Sequence, residues 1–115
     1  MKMHKRVEAA EQICGHVFTD KTLLERALTH PSAVEGARTK LSYERLEFLG
    51  DSVLGAIVAT DIYERFPSMD EGELSQLKIA LVSGNMLSMI SEDLGIAPLI
   101  VMGESEKGTQ ARGMH

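Results

Sequence analysis

Tryptophan is absent from this 115-residue chain, cysteine occurs once, proline three times, and aromatic residues make up 4% of it. Each scarcity excludes something. A single cysteine, Cys14, forbids an intrachain disulfide, so an apolar core must hold the fold, and a reducing cytoplasm suits the chain better than export. The start MKMHKR is basic, but the EAAEQICGHVF that follows is too polar and interrupted to be the apolar region of a signal peptide. The longest nearly unbroken apolar run, VLGAIVA at 53–59, falls far short of the roughly 20 residues of a membrane span. These readings predict a soluble cytoplasmic protein with no membrane segment. Strand signals, internal repeats and low-complexity tracts are also lacking.

A basic face is missing as well. The net charge is −5, and it is uneven: residues 1–42 hold seven Lys/Arg against five Asp/Glu, whereas residues 43–115 hold five against twelve. Composition alone therefore speaks against a nucleic-acid binder, which normally presents a basic surface. The exception is an enzyme that meets phosphates through metal ions held by its own acids.

What remains is helical periodicity and a 43% hydrophobic share, enough for one all-α domain with a core. Val7, Ala10, Ile13 and Cys14 recur at helical spacing, with Gly15 at the position of a C-terminal glycine. Thr19 reads as the cap of a second helix bearing Leu23, Leu24, Ala27 and Leu28, with Phe18 and Leu23 as a hydrophobic staple and Pro31 as its stop. Residues 32–40 read as loop. The longest helix runs from about Tyr43 to Phe66, capped by Ser42 and ended by Pro67. Asp70 and Glu73 make a capping box for a fourth helix with Leu74, Leu77 and Leu81. A fifth stripe of Leu87, Ile90 and Leu94 stops at Gly95, and a short apolar stretch, PLIVM, precedes a polar end.

The chemistry is concentrated in YERLEFLGD, residues 43–51, which sets Glu44, Glu47 and Asp51 into an apolar run. On a helix these three fall within an arc of roughly 60° and about 10 Å of axis. Leu46, Phe48, Leu49, Val53, Leu54, Ile57 and Val58 fill most of the remaining circumference, so the helix is expected to be largely buried. A buried stripe of like charges must protonate, pair with cations or ligate metal. Two readings stay open at this point. One is a metal or catalytic site, for which oxygen ligands select Mg²⁺, Mn²⁺ or Ca²⁺ over zinc. The other is a solvated face with salt bridges, in which the helix dipole favours Glu44 and Glu47 but not Asp51. Gly50 and Gly55 each cost about 1 kcal/mol inside a helix. Either tight helix packing or the approach of a substrate backbone or second subunit would justify them.

ERLEFLGDSVL, residues 44–54, resembles the signature of the ribonuclease III family, Mg²⁺-dependent endoribonucleases that cut double-stranded RNA. ALTHPS (27–32), RFPSMDEGELSQLK (65–78), LVSGNML (81–87), LGI (94–96) and GES (103–105) follow the family's order around it. The resemblance implies the family's all-α endonuclease domain, Mg²⁺ as cofactor with Mn²⁺ able to substitute, double-stranded RNA as substrate, and RNA processing such as that of ribosomal RNA precursors. It implies that Glu47 and Asp51 are metal-binding catalytic carboxylates, that Glu44 and Glu71 are further acids of the site, and that Phe48 packs across a homodimer interface. A two-fold dimer would match the two strands of a duplex.

Two departures qualify this. Tyr43 stands where the family usually has asparagine, and the family's second acidic helix and double-stranded-RNA-binding domain are not in these 115 residues, so this chain alone is expected to be inactive or nearly so. A non-catalytic dimerising or RNA-associated scaffold on the same fold is the alternative, but such relatives lose the acids that this chain keeps. His30, before Pro31, reads as a structural hydrogen-bonding residue, Arg38, Lys40, Lys107 and Arg112 as solvated charges, and Met86, Met89 and Met102 as core or interface filler.

Overall fold

In the computed structural model, which describes residues 1–103, helices dominate and the only strand-like pairing among those residues is one isolated bridge. The order is α1 (Met3–Cys14), α2 (Lys21–Ala27), a 3₁₀ turn (Pro31–Val34), a single-turn α3 (Arg38–Leu41), α4 (Glu44–Arg65), α5 (Glu71–Leu81), α6 (Gly84–Leu94) and a second 3₁₀ turn (Ala97–Leu99). The chain divides into two compact units, one of residues 1–47 with the segment from Gly95 onward, the other of residues 48–94. No helix among the described residues is long and apolar enough to cross a membrane.

The first unit owns the core. Val7 and Ala10 of α1, Leu24 and Leu28 from α2 and its end, and Leu99 of the second 3₁₀ turn are buried together, flanked by Met3, Ile13, Phe18 and Ile100. Gly15 ends α1 at φ 67°, a left-handed position that glycine occupies without steric cost. The cap of α2 is Asp20 rather than Thr19: its carboxylate accepts from the Thr22 N–H at 3.1 Å. The reading fell one residue short because both residues are good caps and only the geometry separates them.

Beyond α2 the path depends on distant partners. The Val101 N–H donates to Leu28 O at 2.7 Å and Val101 O accepts from the His30 N–H at 2.9 Å, a parallel bridge between Thr29 and Val101. Residues 32–40, expected to be loop, contain the 3₁₀ turn and α3. Ser42 is 2% exposed. Its hydroxyl donates to Arg38 O and accepts from the Glu44 N–H, joining the end of α3 to the start of α4.

Glu11 also ties the first unit together. Its carboxylate accepts from the Phe18 N–H at 2.7 Å and pairs with Lys21. The Lys21 ammonium, and then the Phe18 N–H, hold this carboxyl below its free value of 4.5. A carboxyl depressed in the folded state adds stability that is complete above the free value and disappears as pH falls through the folded one. The denaturation midpoint should therefore drop on acidification below about pH 4.5, and Glu11→Gln should flatten part of that drop. Identical acid profiles for the two proteins would remove this pair from the account.

The second unit holds the rest of α4, then α5 and α6. Asp70 and Glu73 form the expected capping box, with the Glu73 N–H donating to Asp70 Oδ1 at 2.9 Å and the Asp70 N–H to Glu73 Oε1 at 3.2 Å. Gly95 ends α6 at φ 77°. Burial, however, departs from expectation. Ile62 is the one buried residue of α4 at 3% exposure, whereas Phe48 is 80% exposed and Leu49, Val53 and Ile57 are exposed too. A helix that is apolar nearly all round needs cover on every side, and the described residues do not supply it. The same holds for Ile79 of α5 and Leu87, Met89, Ile90 and Leu94 of α6.

Candidate functional site

Glu44 and Glu47 lie in the first turn of α4, where the helix dipole favours acids, and Asp51 follows one turn beyond Glu47. All three are exposed, so the expected buried acidic stripe is not formed. Water compensates these charges, and no pairing is demanded by burial. Glu44 nevertheless has a partner: its Oε2 accepts from Arg38 Nε at 3.0 Å. Both side chains are about half exposed, which places the pair among surface ion pairs worth about 0–1 kcal/mol. Arg38, read as a solvated charge, thus faces an acid of the signature. Glu71 occupies the first turn of α5 in the second unit and is also exposed.

Glu47 and Asp51, four residues apart on one helix, are separated by about 6 Å of rise and 40° of arc. Such a pair offers hard oxygen donors of the kind Mg²⁺ and Mn²⁺ prefer. In number the donors fall short. Among the described residues, no three His, Cys, Asp or Glu side chains gather closely enough to hold an ion. The residues therefore suit a divalent cation in kind without completing its coordination.

Gly50, between the two carboxylates, has open space where a Cβ would stand, whereas a Cβ at Gly55 would meet the Lys78 side chain at 3.4 Å. That is ordinary contact with the flexible end of a lysine, so packing among the described residues does not exclude a side chain at Gly55. At Gly50 nothing among the described residues approaches, so that position is open on this helix.

Within the first unit, Glu47 borders an open cleft of about 420 Å³ whose walls include His30, Ser32, Glu35, Arg38 and Tyr43. The Tyr43 N–H donates to Thr29 O at 3.0 Å, and its ring meets that of His30 edge to face, the centroids 5.7 Å apart. Partial burial, then the nearby Glu47 charge, push the Tyr43 hydroxyl above its usual pKa of 10.0, so it stays protonated at neutral pH. His30 caps the first 3₁₀ turn: its Nδ1 accepts from the Ser32 N–H at 3.0 Å and lies 2.8 Å from Ser32 Oγ. Ser32 Oγ in turn accepts from the Gly103 N–H at 2.9 Å. The structural role expected of His30 is present. Its connection to Gly103 is a long-range one, and only the order of THPS and G along the chain hints at it. Lys107, Arg112 and the remainder of the GES segment lie outside the described residues.

An all-helical chain with an ERLEFLGDSVL helix and exposed, turn-spaced carboxylates defines a class, and a family model described as ribonuclease-III-like matches residues 20–115. The chain belongs to the ribonuclease III family. Ribonuclease 3 of Francisella tularensis subsp. novicida strain U112 is 47% identical over 100 residues, 87% of this chain and 41% of that protein. The chain thus spans about two fifths of the length of the curated relatives it matches. Two solved structures of the nuclease domain of ribonuclease III from Campylobacter jejuni are similar. One, described in terms of structural flexibility in the region involved in dimer formation, superposes with a TM-score of 0.83 at 36% identity, over 91% of this chain and 71% of that one. The other gives 0.80 at 35%, over 96% and 71%.

Proposed function

We propose that this chain is part of an endoribonuclease that hydrolyses phosphodiester bonds in double-stranded RNA with the help of a divalent cation, and that it acts as a homodimer. The observation that carries this reading is the exposed Glu47–Asp51 pair, presented on the family's signature helix beside an unobstructed Gly50. Retention of Glu44 and Glu71 with that pair favours an enzyme over a scaffold. The exposed Phe48 and the dimer-forming region named for the Campylobacter jejuni domain support self-association.

A divalent cation bound there would supply the charge that activates water and steadies the leaving oxygen. Glu47 and Asp51 would furnish part of its oxygen shell, with Glu71 and Glu44 as further acids of the site. Because the described residues gather no three such donors around one point, this chain is expected to bind metal without cutting RNA efficiently.

Calorimetric titration with Mn²⁺, beside Glu47→Gln and Asp51→Asn, tests the reading, with a long RNA duplex assayed in the same samples. Saturable binding by the parent chain that weakens at least about tenfold in each variant is the expected result. Binding unaltered by either change, or no binding at all, would shift the weight to a non-catalytic scaffold. Duplex cleavage that survives Asp51→Asn would show that these carboxylates are not the catalytic ones.

A further inference from the structure

The backbone beside His30 selects one tautomer of the neutral ring. Its Nδ1 accepts from a backbone N–H, that of Ser32, and a neutral imidazole nitrogen that accepts carries no proton. Ser32 Oγ accepts from the Gly103 N–H and lies 2.8 Å from the same Nδ1, whose single lone pair it shares with the Ser32 N–H. The relay runs from Gly103 through Ser32 to His30, and it leaves the ring proton on Nε2. With Nδ1 occupied, Nε2 is the ring nitrogen that His30, a lining residue of the cleft, has left to offer.

The charges around the cleft limit what this donor can serve. Glu35 and Glu47 border it against Arg38, whose guanidinium is already paired with Glu44. A bare phosphate would meet more negative than positive charge there. A neutral hydroxyl that both donates and accepts fits better: it can accept from His30 or Tyr43 and donate to Glu35. RNA carries such a group on every sugar, and the 2′-hydroxyl is what distinguishes its backbone from that of DNA.

We propose that the cleft formed by His30, Glu35, Arg38 and Tyr43 beside Glu47 receives a ribose of the substrate strand, and that His30, fixed by the Ser32–Gly103 relay, donates from Nε2 to its 2′-hydroxyl. The proposal rests on the reading of double-stranded RNA as substrate, and it makes His30 a specificity-determining residue.

The test compares equilibrium binding of an RNA duplex with that of the same duplex bearing 2′-fluoro in place of the 2′-hydroxyls, which preserves the A-form sugar. Mg²⁺ is present, and all proteins carry Asp51→Asn to keep the strands intact. The parent should prefer the hydroxyl duplex by about fivefold, the worth of one hydrogen bond. His30→Asn retains an acceptor for the Ser32 N–H, asparagine being a favoured cap, but has no outer donor. It should bind the two duplexes equally, while His30→Gln, whose amide nitrogen reaches close to the place of Nε2, should recover part of the preference. Binding of both duplexes with the same preference in the parent and in His30→Asn overturns this inference alone. Binding of neither duplex by any of the proteins overturns the RNA reading beneath it as well.

Discussion

Glutamate in place of Phe48 is expected to break the proposed homodimer. Phe48 is 80% exposed in the single chain, on a helix that also exposes Leu49, Val53 and Ile57. Single exposed apolar side chains are ordinary, but a run of them along one helix marks a surface that excludes water when a partner covers it. Aromatic anchors at the centre of such surfaces cost 2 kcal/mol or more when truncated, and a carboxylate left against apolar surroundings adds a desolvation penalty. The dissociation constant of Phe48→Glu should rise by at least about 100-fold, read by sedimentation equilibrium. Val17→Glu is the control, since Val17 is similarly exposed at 74% but belongs to the first unit, between α1 and α2. A parent that sediments as a monomer at every concentration would end the homodimer reading. Equal weakening by Val17→Glu would mean that added charge, not the α4 surface, drives the effect.

The second large effect is expected at Leu99, where Leu99→Ala should cost about 2–5 kcal/mol. Leu99 is buried with Val7, Ala10, Leu24 and Leu28, and among the described residues it is the one buried member of that cluster from the returning segment. Its loss leaves a hole in a core with few other members, and it loosens the anchor on which the Thr29–Val101 bridge and the Ser32–Gly103 contact depend. For a domain of this size each kcal/mol lowers the melting temperature by about 4–8 °C, so a fall of at least about 8 °C is expected by circular dichroism. Ile90→Ala, at a position 46% exposed on α6, should shift it much less. Comparable shifts for the two variants would mean that the cluster around Leu99 is not the core of the first unit.

Apart from the cap of α2, which moved by one residue, features decided within one turn of chain were legible in the sequence. Gly15, Gly95 and the Asp70–Glu73 box act locally, and each stands where the spacing put it. Features decided across the chain were not. The turn at Pro31–Val34 is held by Val101 and by Gly103, whose partners a local reading cannot assign. Gly103 is the clearest instance: a Cβ there would stand 2.5 Å from Ser32 O, a demand that nothing in the neighbouring residues announces. In the candidate site, the acids and their spacing were readable. Their solvation was misjudged because an apolar circumference reveals that a helix needs cover without saying what provides it. The Arg38–Glu44 pair and the His30 tautomer needed the fold.

The interrupted first unit also sets a timetable for synthesis. Its helices α1 and α2 are made early, yet the residue that closes their core is Leu99, and Arg6 Nη1 donates to Pro98 O across 92 positions. Translation at about 5–20 residues per second separates Glu47 from Leu99 by roughly 3–10 s. Through that interval the early helices wait with their apolar faces open on the nascent chain, while α4 to α6 emerge. The unit written first is therefore finished last, and a chain that stalls within residues 48–94 presents both open faces to chaperones and proteases.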